Sequence, residues 1–71
     1  MTKPITNADK LAELKRERGQ RERVYPRLID GGGLSREKAA RQIEVLDACI
    51  ADYEARADED RRAGDLFGGR P

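Results

Sequence analysis

SREKAARQIEVLDACIADYEARADEDRRA, residues 35–63, is the stretch that decides the fold of this chain. Within it Ala39, Ile43, Leu46, Ile50, Tyr53 and Ala57 recur at steps of four, three, four, three and four. An α-helix turns once every 3.6 residues, so these six side chains form one stripe, whereas a strand would need alternation by two. No glycine or proline interrupts the run. Ser35 is a natural N-cap, with Glu37 in the first turn at the positive end of the dipole and Leu34 placed as a hydrophobic staple. The spacing predicts a helix over 35–63 that reaches its limit at Gly64. The acidic run Asp58-Glu59-Asp60 opposes the dipole at the C-terminal end and predicts fraying there.

Working outward, Gly31-Gly32-Gly33 precedes this helix, and glycine readily takes the left-handed conformation that closes a helix C-terminus. Before the glycines, Leu11, Leu14, Arg18, Arg21, Tyr25 and Leu28 step by three and four, with Ile29 extending the apolar end. This pattern predicts a first helix over 8–30, with Asn7 as its N-cap and Asp9 in its first turn. Pro26 lacks an N–H and disfavours helical geometry at Tyr25, so this helix either kinks there or restarts at Pro26. Residues 1–7 then form an N-terminal tail, 31–34 a turn, and 64–71 a flexible C-terminal tail.

A turn this short favours antiparallel neighbours. The expected fold class is all-α: an antiparallel helical hairpin over 8–63. Folding at Gly32 brings Leu28 near Ala39, Tyr25 near Ile43, Arg18 near Ile50, and Leu11 or Leu14 near Tyr53 and Ala57. Charge agrees. Residues 15–27 carry six basic and two acidic side chains, residues 44–60 seven acidic and one basic, and the pairing lays these stretches alongside one another. A lone hairpin of this size buries too little to offset the ordering of its residues. Val45 and Cys49 also widen the apolar face of the second helix beyond what one partner helix covers. Either a two-fold homodimer in a four-helix arrangement, with Val45 and Cys49 at its interface, or another obligate partner is expected; the alternative is a weakly stable monomer with both residues at its rim.

Composition narrows the function. The chain has 71 residues, one cysteine, no histidine and a formal net charge of +1. An internal disulfide is impossible and an ordinary Cys/His zinc site is excluded, so neither metal nor cofactor is expected. The lone thiol and the absence of an apolar leader suit the cytoplasm, and no apolar run approaches the roughly 20 residues that span a bilayer. No catalytic residue stands out. Without histidine, acid–base work would fall to Glu44, Asp47 and Asp52, on a solvated helix among arginines, and Cys49 has no histidine to activate it. The triple glycine lacks the strand before it and the Lys-Ser/Thr after it that a phosphate loop requires. The chain is therefore expected not to be an enzyme.

Two features point to binding. In Gly64-Asp65-Leu66-Phe67-Gly68 the only phenylalanine stands beside a leucine among glycines, so Asp65, Leu66 and Phe67 are candidates for docking into another protein, or else they fold back on the hairpin. Asp-Leu-Phe resembles the end of the peptide motif by which bacterial replication and repair proteins dock on the sliding clamp, although the usual glutamine is replaced here by Ala63. Arg16, Arg23 and Arg27 share one side of the first helix and could contact nucleic acid. The near-zero net charge and the acidic second helix favour internal pairing of the basic side chains.

The segment Arg23-Val24-Tyr25-Pro26-Arg27-Leu28-Ile29, then Gly33-Leu34-Ser35, Ala39-Ala40, Gln42-Ile43, Leu46 and Ile50 resembles a family of small phage and prophage proteins of proteobacteria over residues 13–54. The extra glycines Gly31 and Gly32 depart from that pattern. The resemblance implies an accessory role beside DNA metabolism or host takeover, and it brings no activity or functional residue with it. The resulting expectation is a small helical adaptor or inhibitor that binds a host or phage protein. A nucleic-acid-binding accessory factor and a structural oligomeric component are the rival readings.

Overall fold

The computed structural model describes residues 3–67, with side chains through Gly64. Two helices account for nearly all of it, α1 over Asn7–Asp30 and α2 over Arg36–Phe67, and they pack antiparallel. No strand occurs among the described residues. The expected all-α hairpin is the fold.

The N-cap of α1 is Thr6 rather than Asn7. The Asp9 backbone N–H donates to the Thr6 hydroxyl at 3.0 Å, and the Thr6 backbone N–H donates to the Asp9 carboxylate at 3.0 Å. This reciprocal pair is a capping box, in which the third residue after the cap must be an acceptor. Counted from Thr6 that residue is Asp9; counted from Asn7 it would be Lys10, which cannot accept. Asn7 is freed to donate its side-chain amide to Asp60 of α2 at 3.0 Å.

The far end of α1 closes as the glycines predict. Gly32 N–H donates to the Ile29 carbonyl at 3.1 Å and Gly33 N–H to the Leu28 carbonyl at 2.9 Å, while Gly32 sits at φ +80°. These are the two bonds and the left-handed residue of a Schellman motif, a conformation that costs a non-glycine residue about 1 kcal/mol or more. Ser35 then caps α2, accepting from the Lys38 N–H at 3.1 Å.

Two boundaries differ from the sequence-based expectation. α1 is one helix through Pro26 and does not restart there. α2 runs past Ala63 and Gly64 to Phe67. A single exposed helical glycine costs only about 1 kcal/mol, too little to stop a helix that continues on both sides. The segment expected to begin a flexible tail at Gly64 is thus helical backbone as far as Phe67. The side chains of Asp65, Leu66 and Phe67, the docking candidates, lie outside the described residues, as do residues 68–71 and 1–2.

The expected register is observed along the whole hairpin. Tyr25 donates its hydroxyl to Gln42, Arg18 reaches Asp47, Lys15 stands 3.5 Å from Glu54, and Asn7 meets Asp60. One expected neighbour is displaced. Leu28 turns outward, and Ile29 instead lines a groove with Ala39 and Ile43. A stripe stepping by threes and fours drifts about 20° per heptad around a straight helix. By the end of α1 that drift carries Leu28 off the seam and brings Ile29 onto it.

Little of this hairpin is interior. Among the described residues only Ala39 and Leu46 are buried, at 5% and 9% exposure, and no residue of α1 is. The body measures 55 × 27 × 16 Å with a radius of gyration of 16.7 Å, against about 11 Å for a compact chain of this length. Two helices side by side make a slab one helix thick, in which every residue lies near a surface.

Candidate functional site: a polar side and an apolar side

The slab has two broad sides, and they differ in chemistry. Successive helical residues rotate by about 100°. Relative to the seam, Lys15 and Glu22 of α1 and Asp47 and Glu54 of α2 therefore project to one side. There Lys15 pairs with Glu54, and Arg18 bridges Asp47 at 2.5 Å and Glu22 at 3.2 Å. These pairs close that edge of the seam with charge. The hydrogen bond from Arg18 holds the Asp47 carboxyl below its ordinary value, with the guanidinium charge adding to it and desolvation opposing it. The Arg18 guanidinium is correspondingly raised, chiefly by the same bond to Asp47.

The pH dependence follows. A carboxyl whose value is lower in the folded chain stabilises the fold at neutral pH, and that contribution is lost as pH falls through the folded value. Acidification from neutrality to about pH 2 is expected to lower the midpoint of thermal unfolding measured by circular dichroism. Asp47→Asn should lower the neutral midpoint slightly and make the acid dependence shallower. Since Arg18 and Asp47 are solvent-accessible, the effect is small. An unchanged acid slope in Asp47→Asn would remove this pair from the account.

On the other side the same rotation places Val24 and Leu28 of α1 with Val45 and Cys49 of α2. Each pair is one helical turn apart, and the antiparallel arrangement puts both pairs on one broad side. Val24, Leu28 and Val45 are 39%, 43% and 49% exposed, and Cys49 is a half-buried free thiol. Toward the open end of the hairpin this side continues into a shallow groove lined by Ile5, Asp9, Lys10, Glu13, Leu14 and Tyr53, where Ile5 is exposed as well. Lys10 and Arg56 stand over the Tyr53 ring, at 5.6 and 5.0 Å from its centroid, a cation–π arrangement. Ile5, Val24, Leu28 and Val45 are the exposed large apolar residues of the chain's described part, and all four belong to this side.

The expected interface residues Val45 and Cys49 lie here together. Spacing along the chain does not single out Val24 and Leu28. It assigns Leu28 to the seam, and Val24 becomes part of a surface only once the hairpin's register shows which side of α1 adjoins which side of α2. Their separation by four residues, beside a second such pair in α2, was the available signal.

The three arginines expected to contact nucleic acid share the outer ridge of α1 but differ in pairing. Arg16 is paired with Glu13 of its own helix, and that bond lowers the Glu13 carboxyl and raises the Arg16 guanidinium. Arg23 and Arg27 are exposed and make no ion pair among the described residues. Four residues apart, they lie on the outer ridge of α1, away from α2.

No protein-family model matches this chain, and no curated protein or solved structure shows significant similarity to it. Among the described residues, no helix is long and apolar enough to cross a membrane.

Proposed function

We propose that this chain is a non-enzymatic helical interaction protein, and that its working surface is the side carrying Val24, Leu28, Val45 and Cys49. One observation carries this reading. Among the described residues only two are buried, and the four exposed large apolar side chains, Ile5, Val24, Leu28 and Val45, gather on a single side. Apolar area favours leaving water at about 25 cal/mol per Å², so covering this side stabilises both the hairpin and whatever covers it. Association and folding are linked, because anything that binds only the folded chain raises its stability. The resemblance of residues 13–54 to phage and prophage proteins points to an accessory role, and an adaptor or inhibitor acting in the cytoplasm is the form of it proposed here. The self-association expected from sequence is one form of this activity.

The test compares the tagged wild-type chain, Val45→Asp and a chain ending at Ala63, each measured alone and after capture from host lysate, with assemblies identified by native mass spectrometry. Association, whether with itself or with another protein, should be lost in Val45→Asp and kept in the shortened chain. Loss confined to the shortened chain would move the function to the Asp65-Leu66-Phe67 segment, where the sliding clamp is the partner to try. A folded chain that associates with nothing in a Val45-dependent manner would end this reading.

The outward, unpaired Arg23 and Arg27 favour a second reading, a nucleic-acid-binding accessory factor. Fluorescence anisotropy with labelled duplex and single-stranded DNA checks it. Binding should weaken steeply as salt rises and should fall in Arg23→Ala/Arg27→Ala. Salt-independent binding, or binding that survives both substitutions, would count against it.

A further inference from the structure

We infer that the apolar side is covered by a second copy of this chain, stacked face to face about a two-fold axis that runs along the hairpin. This rests on the interaction reading above and names its first occupant.

The surface area supports a second copy. The chain exposes 5868 Å², whereas a folded monomer of its 8.0 kDa exposes about 4,500 Å². A compact body of twice that mass exposes about 7,400 Å². Were two copies to close to that value, about 4,300 Å² would leave water in total, so the elongated hairpin has surface enough for an obligate homodimer, for which roughly 2,000–5,000 Å² is usual.

Shape agrees. The slab is 27 Å wide and 16 Å deep. A second layer at the usual helix spacing of about 8–10 Å brings the depth to about 25 Å, which gives the nearly square section of a four-helix bundle.

The level of the apolar residues selects the arrangement. A two-fold axis along the hairpin lays α1 of one copy over α2 of its partner, with both turns at the same end. The observed register, in which Lys15 meets Glu54 and Tyr25 meets Gln42, places Val24 almost level with Val45 and Glu13 almost level with Arg56. In this stacking Val24 therefore meets the partner's Val45, and the partner's Arg56 stands level with both Glu13 and Lys10 at the rim. The other stacking has the axis across the hairpin and α2 running antiparallel over its own copy. It would set Lys38 against Arg56 along the α2 rim, although Glu13 could then approach Arg27 along α1. It would also bring the two Cys49 thiols near each other across the axis. In the stacking inferred here the two α2 helices are diagonal, and these thiols stay apart.

Sedimentation equilibrium of the full chain, with cysteine cross-linking, tests this. The wild type is expected to be a dimer at micromolar concentration, and Val45→Asp should weaken dimerisation at least tenfold. Val24→Cys/Cys49→Ala mixed with Val45→Cys/Cys49→Ala should form a disulfide-linked heterodimer on mild oxidation, whereas wild-type Cys49 should remain unlinked. Should Val45→Asp fail to fold, Val45→Ser, read by the concentration dependence of the unfolding midpoint, serves the same purpose. A wild type that stays monomeric throughout overturns the inference, and so does rapid Cys49–Cys49 linkage. A monomer that captures another protein in a Val45-dependent way overturns it while leaving the interaction reading intact. A monomer that captures nothing overturns both.

Discussion

Leu46→Ala is expected to lower the unfolding midpoint of this chain by about 10–20 °C, which follows from a loss of about 2–3 kcal/mol in a domain of this size. The figure sits at the lower end of the range for leucine truncation because a slab one helix thick can relax around the gap. It is nevertheless a large share of what the fold has. Stability of roughly 0.05–0.15 kcal/mol per residue amounts to about 3–10 kcal/mol for the whole chain. Leu46 is the only large side chain buried among the described residues, and the α1 positions at its level are Arg18 and Arg21 rather than aliphatic residues. Arg18 is occupied by Asp47 and Glu22, and Arg21 by Glu17 at 3.0 Å. Ile43 and Ile50 flank Leu46 on its own helix but are only half-buried, so they compensate only in part. Thermal melts followed by far-ultraviolet circular dichroism at fixed concentration check this, and a shift below about 3 °C would show that Leu46 is not the centre of the fold.

The opposite sign is expected at Pro26. α1 continues through this residue, so the carbonyl of Glu22 lacks the N–H that would normally reach it, and the ring crowds the preceding turn. Proline inside a helix costs about 3 kcal/mol relative to alanine. It returns part of that, about 0.4–1 kcal/mol, by restricting the unfolded chain. Because Pro26 is exposed and lines a shallow groove with Tyr25 and Ile29, little packing is lost with the ring. Pro26→Ala should therefore stabilise the hairpin by about 2 kcal/mol and raise its midpoint by about 10 °C. A lower midpoint would mean that the ring contributes more through that groove than it costs in the backbone.

Much of this molecule can be read from its residues in order. The stripe from Ala39 to Ala57, the glycine turn and the opposed charge blocks lead to the hairpin and to its register, because periodicity and turn chemistry are local. The N-cap was legible too. Thr6 and Asn7 are both good caps, and only the acceptor Asp9 three residues after Thr6 separates them. The passage of α2 through Gly64 is harder to read, since it turns on a difference near 1 kcal/mol between continuing and stopping. Leu28 was misplaced for a geometric reason: its spacing from Tyr25 is helical, but the drift of the stripe accumulates over the length of α1.

The candidate surface divides in the same way. Val45 and Cys49 stand out along one helix as apolar residues beside the seam. Val24 and Leu28 join them only when α1 and α2 are laid together, because which flank of one helix borders which flank of the other depends on packing and leaves no trace in spacing along the chain. Local order in the residues was enough to settle two helices, the bend between them and the partners across the seam. That Lys15, Arg18, Asp47 and Glu54 close one edge of the seam while Val24, Leu28, Val45 and Cys49 gather along the other emerges from the fold alone, since a surface assembled from two distant segments exists only after they meet.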